Sequence, residues 1–172
     1  MAAIHQAAIQ GDARLLRQLL TSNPGLVDAQ MMVSDATPLH IVCEQGHLAA
    51  AKVLLEWKAN CNARNQRGET PLHAALEHVK GNFLRAFFCA RTSAAITALL
   101  LSHGAAADAR NHTGDTPLHK AAMLGCGEVA EILLTHGADP NPVNDKGLTP
   151  LRTAMRYKQQ KIVELLKKRG AK

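Results

Sequence analysis

Thr37–Ala59 reads TPLHIVCEQGHLAAAKVLLEWKA, two short apolar segments parted by a Gly. Thr followed by Pro marks a helix start, because the hydroxyl caps free amides and Pro suits the first helical position. Leu39, Val42 and Cys43 then follow helical spacing. Gly46 and His47 interrupt it, and a second helix is predicted from about Leu48 to Trp57. Neither helix can bury its apolar face alone.

The same opening recurs. TPLH stands at Thr37–His40, Thr70–His73 and Thr116–His119, and TPLR at Thr149–Arg152. The spacings are 33, 46 and 33, so one unit is thirteen residues longer than the others. Ile4–Leu20, IHQAAIQGDARLLRQLL, matches a unit lacking its first residues. Five units follow, approximately 1–34, 35–67, 68–113, 114–146 and 147–172, in a single domain. Neighbouring units must stack to bury their faces, and the end units cap the array.

On GETPLHAAL (Gly68–Leu76), GDTPLHKAAMLG (Gly114–Gly125), EILLTHGADPN (Glu131–Asn141) and GLTPLRTAM (Gly147–Met155), the chain resembles the ankyrin-repeat family over essentially its whole length. The resemblance implies an all-α solenoid of stacked helix-turn-helix units with short β-hairpin fingers. Asp35 stands where the finger Gly is expected, and Lys58 and Asn23 replace the Gly after the second helix. Finger one and the turn at Lys58 are therefore expected to be irregular, since a left-handed Lys costs about 1–2 kcal/mol.

The repeat absorbs most of the nine histidines. His40, His73 and His119 belong to TPLH, and His5 holds the same place in unit one; hydrogen bonds between neighbouring turns are their expected work. Neither GxSxG, a P-loop, HExxH nor a strand-led GxGxxG occurs, so no catalytic role, cofactor or metal is assigned. Cys43, Cys61, Cys89 and Cys126 form no CxxC pair and read as reduced, mostly core thiols. Residues 1–12 lack a signal-peptide pattern, and no apolar run approaches the roughly 20 residues of a membrane span. The expected setting is the cytoplasm, with the nucleus as alternative.

The net charge of +6 misleads as an average. From Arg152 to Lys172 eight Lys/Arg face one acid, Glu164, giving +7, while twelve Lys/Arg against thirteen Asp/Glu leave −1 elsewhere. Dipole compensation by Lys167, Lys168 and Arg169 and a polar cap through Lys158 and Lys161 explain this tail; acidic-partner, nucleic-acid or nuclear-import contacts are the alternatives.

The resemblance implies recognition through fingertips and the exposed face of each first helix. Carried over by alignment to TPLH, the candidates are Ile41 and Glu44, then Gln66, Arg67 and Glu69. His112, Asp115, Lys120, Met123 and Leu124 follow, and Lys146, Arg156 and Tyr157 come last; Val33, Glu77 and Thr153 belong to the wider set. Mixed charges around isolated apolar residues suit a protein partner, and a phosphate-tracking groove would need denser Lys/Arg. A monomeric, non-catalytic interaction module is expected. The rivals are a direct enzyme inhibitor, as in the ankyrin-type inhibitors of cyclin-dependent kinases, and a nucleic-acid binder using the basic cap. The chain also fits a fragment of a larger protein, and the resemblance raises asparagine hydroxylation at Asn62 and Asn141.

Two stretches lie outside the pattern. Met31, Met32 and Val33 in finger one either pack on the next finger or form a contact site. The thirteen-residue insertion falls between the helices of unit three and holds all three Phe: Phe83, Phe87 and Phe88. With Asn82 as a plausible cap, that helix is expected to begin early, with Leu84, Phe87, Phe88, Ala95 and Leu99 on one stripe. Its Phe side chains are expected to pack on neighbouring helices, with an aromatic anchor for a partner as the alternative.

Overall fold

The computed structural model describes residues 2–77 and 83–172, with backbone alone for 83–90. Phe83, Phe87 and Phe88 side chains, His78 and the Asn82 cap lie outside the described set.

Five helix pairs build the stack. They are α1 (Ala3–Gln10) with α2 (Ala13–Ser22), α3 (Pro38–Gln45) with α4 (Leu48–Glu56), and α5 (Pro71–Ala74) with α6 (Phe83–Ser102). The last two are α7 (Pro117–Leu124) with α8 (Gly127–Thr135), and α9 (Pro150–Arg156) with α10 (Gln160–Lys168). The first helices form one row, α1–α3–α5–α7–α9, and the second helices another, α2–α4–α6–α8–α10. Between the rows runs one apolar seam, with Ile4, Leu16, Leu20, Leu39, Leu54, Leu72, Ile96, Leu100, Leu118, Leu133, Ile162 and Leu166 fully buried. Each such side chain contributes about 1.5–3 kcal/mol, and neighbouring units share it.

Helix starts follow the Thr-Pro reading. Thr37, Thr70 and Thr116 each form a reciprocal cap with the His three residues on. The second helices differ by position in the stack. Middle ones such as α4 (LAAAKVLLE) are apolar or small on several sides, because units lie on both flanks. Terminal α2 (ARLLRQLLTS) and α10 (QKIVELLKK) turn one charged face to water.

Four features differ from the sequence expectations or sharpen them. Among the described residues no segment forms a strand. Fingers are instead turns closed by a backbone hydrogen bond, as from Asn65 N to Glu69 O (3.0 Å) and from Asn111 N to Asp115 O (3.0 Å). The Lys58 turn is regular: Lys58 adopts φ 60°, and Ala59 N donates to Leu54 O at 3.0 Å as Ala105 N does to Leu100 O at 3.0 Å. Packing of flanking Ala59 and Leu55 outweighs the local strain. Asn23, by contrast, avoids the left-handed region at φ −148° and caps a 3-10 helix, Pro24–Asp28, through Oδ1.

The last difference concerns α6. At 20 residues it is far longer than α4 or α8 at nine, so it does begin early. Its core-facing stripe, however, is Ser93, Ile96, Thr97 and Leu100, whereas Ala95 is exposed and Leu99 half-buried. Of the expected stripe, Leu99 packs half-buried against the core and Ala95 faces solvent, while the side chains of Leu84, Phe87 and Phe88 lie outside the described residues. Ser93 belongs to the buried face for a polar reason: its hydroxyl donates to Ala75 O at 2.8 Å, satisfying a carbonyl beyond the four-residue α5.

Candidate functional site

Between the fingers and the first-helix row of units three to five lies a groove of about 280 Å³. Register builds it. Counting from the Thr of TPLH, the third residue before supplies Arg67 and Lys146, and the residue before supplies Glu69, Asp115 and Leu148. The fourth residue after supplies Lys120 and Thr153, and the seventh supplies Glu77, Met123 and Arg156. Tyr157 closes one end, half-exposed at 49%.

Its walls are fixed by a row of neutral imidazoles. His40 Nε2 bonds Glu69 O at 3.0 Å, His73 Nε2 bonds Asp115 O at 3.1 Å, and His119 Nε2 bonds Leu148 O at 2.9 Å. A carbonyl only accepts, so Nε2 carries the proton. On the other side Nδ1 accepts from the backbone N–H of Thr37, Thr70 and Thr116 at 3.2, 3.3 and 3.2 Å. A second proton on Nδ1 would face an N–H donor inside a buried site. Burial accordingly holds all three pKa values below the usual imidazole range, with His73 lowered to about 4. His5 bonds a backbone carbonyl too, at Ala29 O (2.8 Å) rather than at the residue before Thr37. The inter-turn stitching expected of these histidines is what they do.

Asparagine supplies the fingers' internal scaffold. Asn65, Asn111 and Asn144 each stand five residues before the Thr, and each Oδ1 accepts two backbone N–H groups of its own turn. Asn144 Nδ2 also donates to Asp115 Oδ1 at 2.6 Å. These finger residues, of which Asn111 and Asn144 line the groove, were missed in the sequence, although their fixed offset was available there. Finger one lacks the device: Met32 stands in that register, its turn is one residue longer, and Asp35 takes φ 52°. Met32 and Val33 are consequently 98% and 80% exposed, so packing on the next finger is not their role.

The groove floor holds a buried charge cluster. Lys120, only 7% exposed, bonds Glu69 Oε1 at 2.8 Å and pairs with Glu77, while Arg67 reaches Glu69 Oε2 at 2.8 Å. Burial opposes ionisation of Glu69, but Lys120 and Arg67 outweigh it and hold the carboxyl below its ordinary value. In other units this register carries Ile41, Ala74 and Thr153, at 6%, 4% and 5% exposure. It is a core position, so Ile41 offers no surface to a partner.

Of the other sequence candidates, Arg67, Glu69, Glu77, Asp115, Lys120, Met123, Lys146, Thr153, Arg156 and Tyr157 come together in the groove. Glu44, Gln66 and His112 are exposed outside it, and Leu124 packs against the core. Gln66 and His112 instead join adjacent fingers through their N–H groups, to Ser34 O and Arg67 O, each at 3.0 Å. Asn62 and Asn141, raised as hydroxylation sites, bridge successive loops: their Oδ1 atoms accept from Ala106 N and Lys172 N, each at 2.8 Å.

Among the described residues no group of three His, Cys, Asp or Glu could hold a metal ion. Nor is any described helix long and apolar enough to cross a membrane. Cys43, Cys61 and Cys126 are buried free thiols, and burial pushes Cys126 up to about 11.

A family profile described as ankyrin repeats (three copies) matches residues 4–93 and 86–172. The chain belongs to the ankyrin-repeat family. It is thereby a protein–protein interaction module. Its ankyrin segment is similar to parts of much larger proteins. One is the transient receptor potential cation channel subfamily A member 1 homolog of Caenorhabditis elegans, 38% identical over 78 residues. That match covers 45% of this chain and 6% of the channel homolog. The E3 ubiquitin-protein ligase XBAT32 of Arabidopsis thaliana is 36% identical over 72 residues, 42% of this chain and 14% of the ligase. The serine/threonine-protein kinase VIK of the same plant is 40% identical over 65 residues, 38% of this chain and 15% of the kinase. The ankyrin chain thus matches a small fraction of each relative's length.

Proposed function

We propose that this ankyrin domain is a non-catalytic adaptor that acts as a monomer and binds a protein partner through the groove of units three to five. The observation carrying this reading is the convergence of fingertip and first-helix residues on one concavity, with Met123 and Tyr157 as apolar anchors inside a charged rim. Supporting it, the walls are locked by the histidine bonds and the asparagine turns, so little side-chain and loop freedom is left to lose on binding. The relatives, in which similar repeats accompany channel, ligase and kinase polypeptides, support a recognition role beside unrelated activities. The cytoplasm is the compartment proposed, and nucleic acid is not the proposed partner.

Affinity capture tests this. The intact chain is compared with Arg67→Ala/Tyr157→Ala, which alters the groove, and with Lys52→Ala/Glu56→Ala on the exposed face of α4. Specific partners retained by the α4 variant and lost by the groove variant are expected. Partners kept by the groove variant and lost by the α4 variant would reverse the assignment.

A further inference from the structure

We infer that the groove takes an extended acidic peptide segment, with a carboxylate placed between Lys146 and Arg156 and an apolar side chain against Tyr157. This rests on the groove being the binding surface, as proposed above.

The charge inventory carries it. Every groove acid is already engaged within the fold. Glu69 is held by Lys120 and Arg67, Glu77 by Lys120, and Asp115 by Asn144 Nδ2 at 2.6 Å and Thr113 Oγ1 at 2.9 Å. Two groove cations are engaged with them. The other two, Lys146 and Arg156, are exposed and have no ion pair among the described residues. They come from different elements, the last finger and the end of α9, and line the same concavity beside Tyr157. Unit five adds a strong positive field, with eight Lys/Arg against one acid from Arg152 onward. Such a field raises the encounter rate of an acidic segment, while the local pair fixes its register.

Shape points the same way: the groove crosses three units along the stack, which suits one extended segment.

The probe is a positional-scanning library of fluorescein-labelled octapeptides of acidic, neutral and basic composition, read by anisotropy with the full chain. A random single-stranded 20-nucleotide DNA is run beside it. Lys146→Glu/Arg156→Glu is compared with Lys167→Glu/Lys168→Glu, an equal charge change on α10 outside the groove; unchanged thermal midpoints establish that both fold. The inference expects selection of Asp or Glu at one or two positions beside an apolar residue. Affinity should fall about tenfold or more in the groove variant and less than about threefold in the α10 variant.

Equal losses in both variants would reduce the effect to net charge and overturn the inference. Selection of neutral or basic peptides that Tyr157→Ala abolishes would overturn it while leaving the groove as the binding surface. Preferential capture of the DNA through Lys146 and Arg156 would overturn the peptide assignment. Binding of no library member would remove both the acidic segment and the peptide-binding reading of the groove.

Discussion

His73 shows how one residue ties sequence, packing and solution behaviour together. Its proton sits on Nε2 against Asp115 O, and its Nδ1 accepts from Thr70, so the folded site has no place for a second proton. The folded pKa lies near 4, below the ordinary 6.5. The unfolded chain therefore takes up protons first as pH falls. The stability that His73 contributes is complete above about pH 6.5 and is lost on acidification toward pH 4. At pH 5 this amounts to about 2 kcal/mol. His40 and His119 are lowered too and act in the same direction. The urea midpoint is thus expected to fall clearly between pH 7 and pH 5; an unchanged midpoint would contradict neutral, stitched histidines. Lys58 makes a complementary case. At φ 60° it carries a Cβ where other units have Gly104 and Gly137 at φ 85°. Lys58→Gly is expected to stabilise by about 0.5–1 kcal/mol, and Lys158→Gly, at φ 58°, by a similar amount. Gly114 is the opposite instance: at φ 72° a Cβ would approach Asp145 N to 2.9 Å, so only Gly allows the fingers to pair there.

Among the elements, sequence legibility varied with how local the determinants were. Helix starts were readable because Thr, Pro and His lie within four residues of one another. The turn at Lys58 misled, since local strain argued for irregularity while packing on both sides kept it regular. The α6 stripe was only partly legible, at Leu99 but not at Ala95, for a related reason. Its apolar residues admit more than one helical face, and the buried face includes Ser93 and Thr97, which a hydrophobic pattern skips. Finger asparagines were overlooked because Asn marks turns generally, and only the recurrence of its offset reveals their task. Terminal elements were better signalled: α10 carries Ile162, Val163 and Leu166 inward and Lys161, Lys167 and Lys168 outward. Leu166 is fully buried against the preceding unit, so Leu166→Ala is expected to cost about 2–5 kcal/mol. In a stacked array that loss should fall on unit five first. Hydrogen exchange checks this: amides of α9 and α10 should lose protection well before those of α3 and α4, whereas uniform loss would contradict unit-by-unit stability.

At the scale of the whole molecule, two helix rows and a line of fingers form one scaffold whose concave side is locked and whose last unit is strongly basic. The concave site was partly legible: the register of the repeat located most of the groove's residues, Glu77 and Thr153 among them, yet it also nominated Ile41, which its own core position hides. Repeat alignment reveals which positions face a partner, but burial of an individual side chain depends on the neighbours above and below. The central claim is that recognition belongs to the groove. The most direct measurement is an amide chemical-shift titration of the ¹⁵N-labelled chain with a captured partner. Perturbed amides are predicted around Arg67, Asp115, Met123, Lys146 and Tyr157, with α4, α8 and α10 quiet. Perturbations confined to those outer helices, with the groove amides unmoved, would contradict the account.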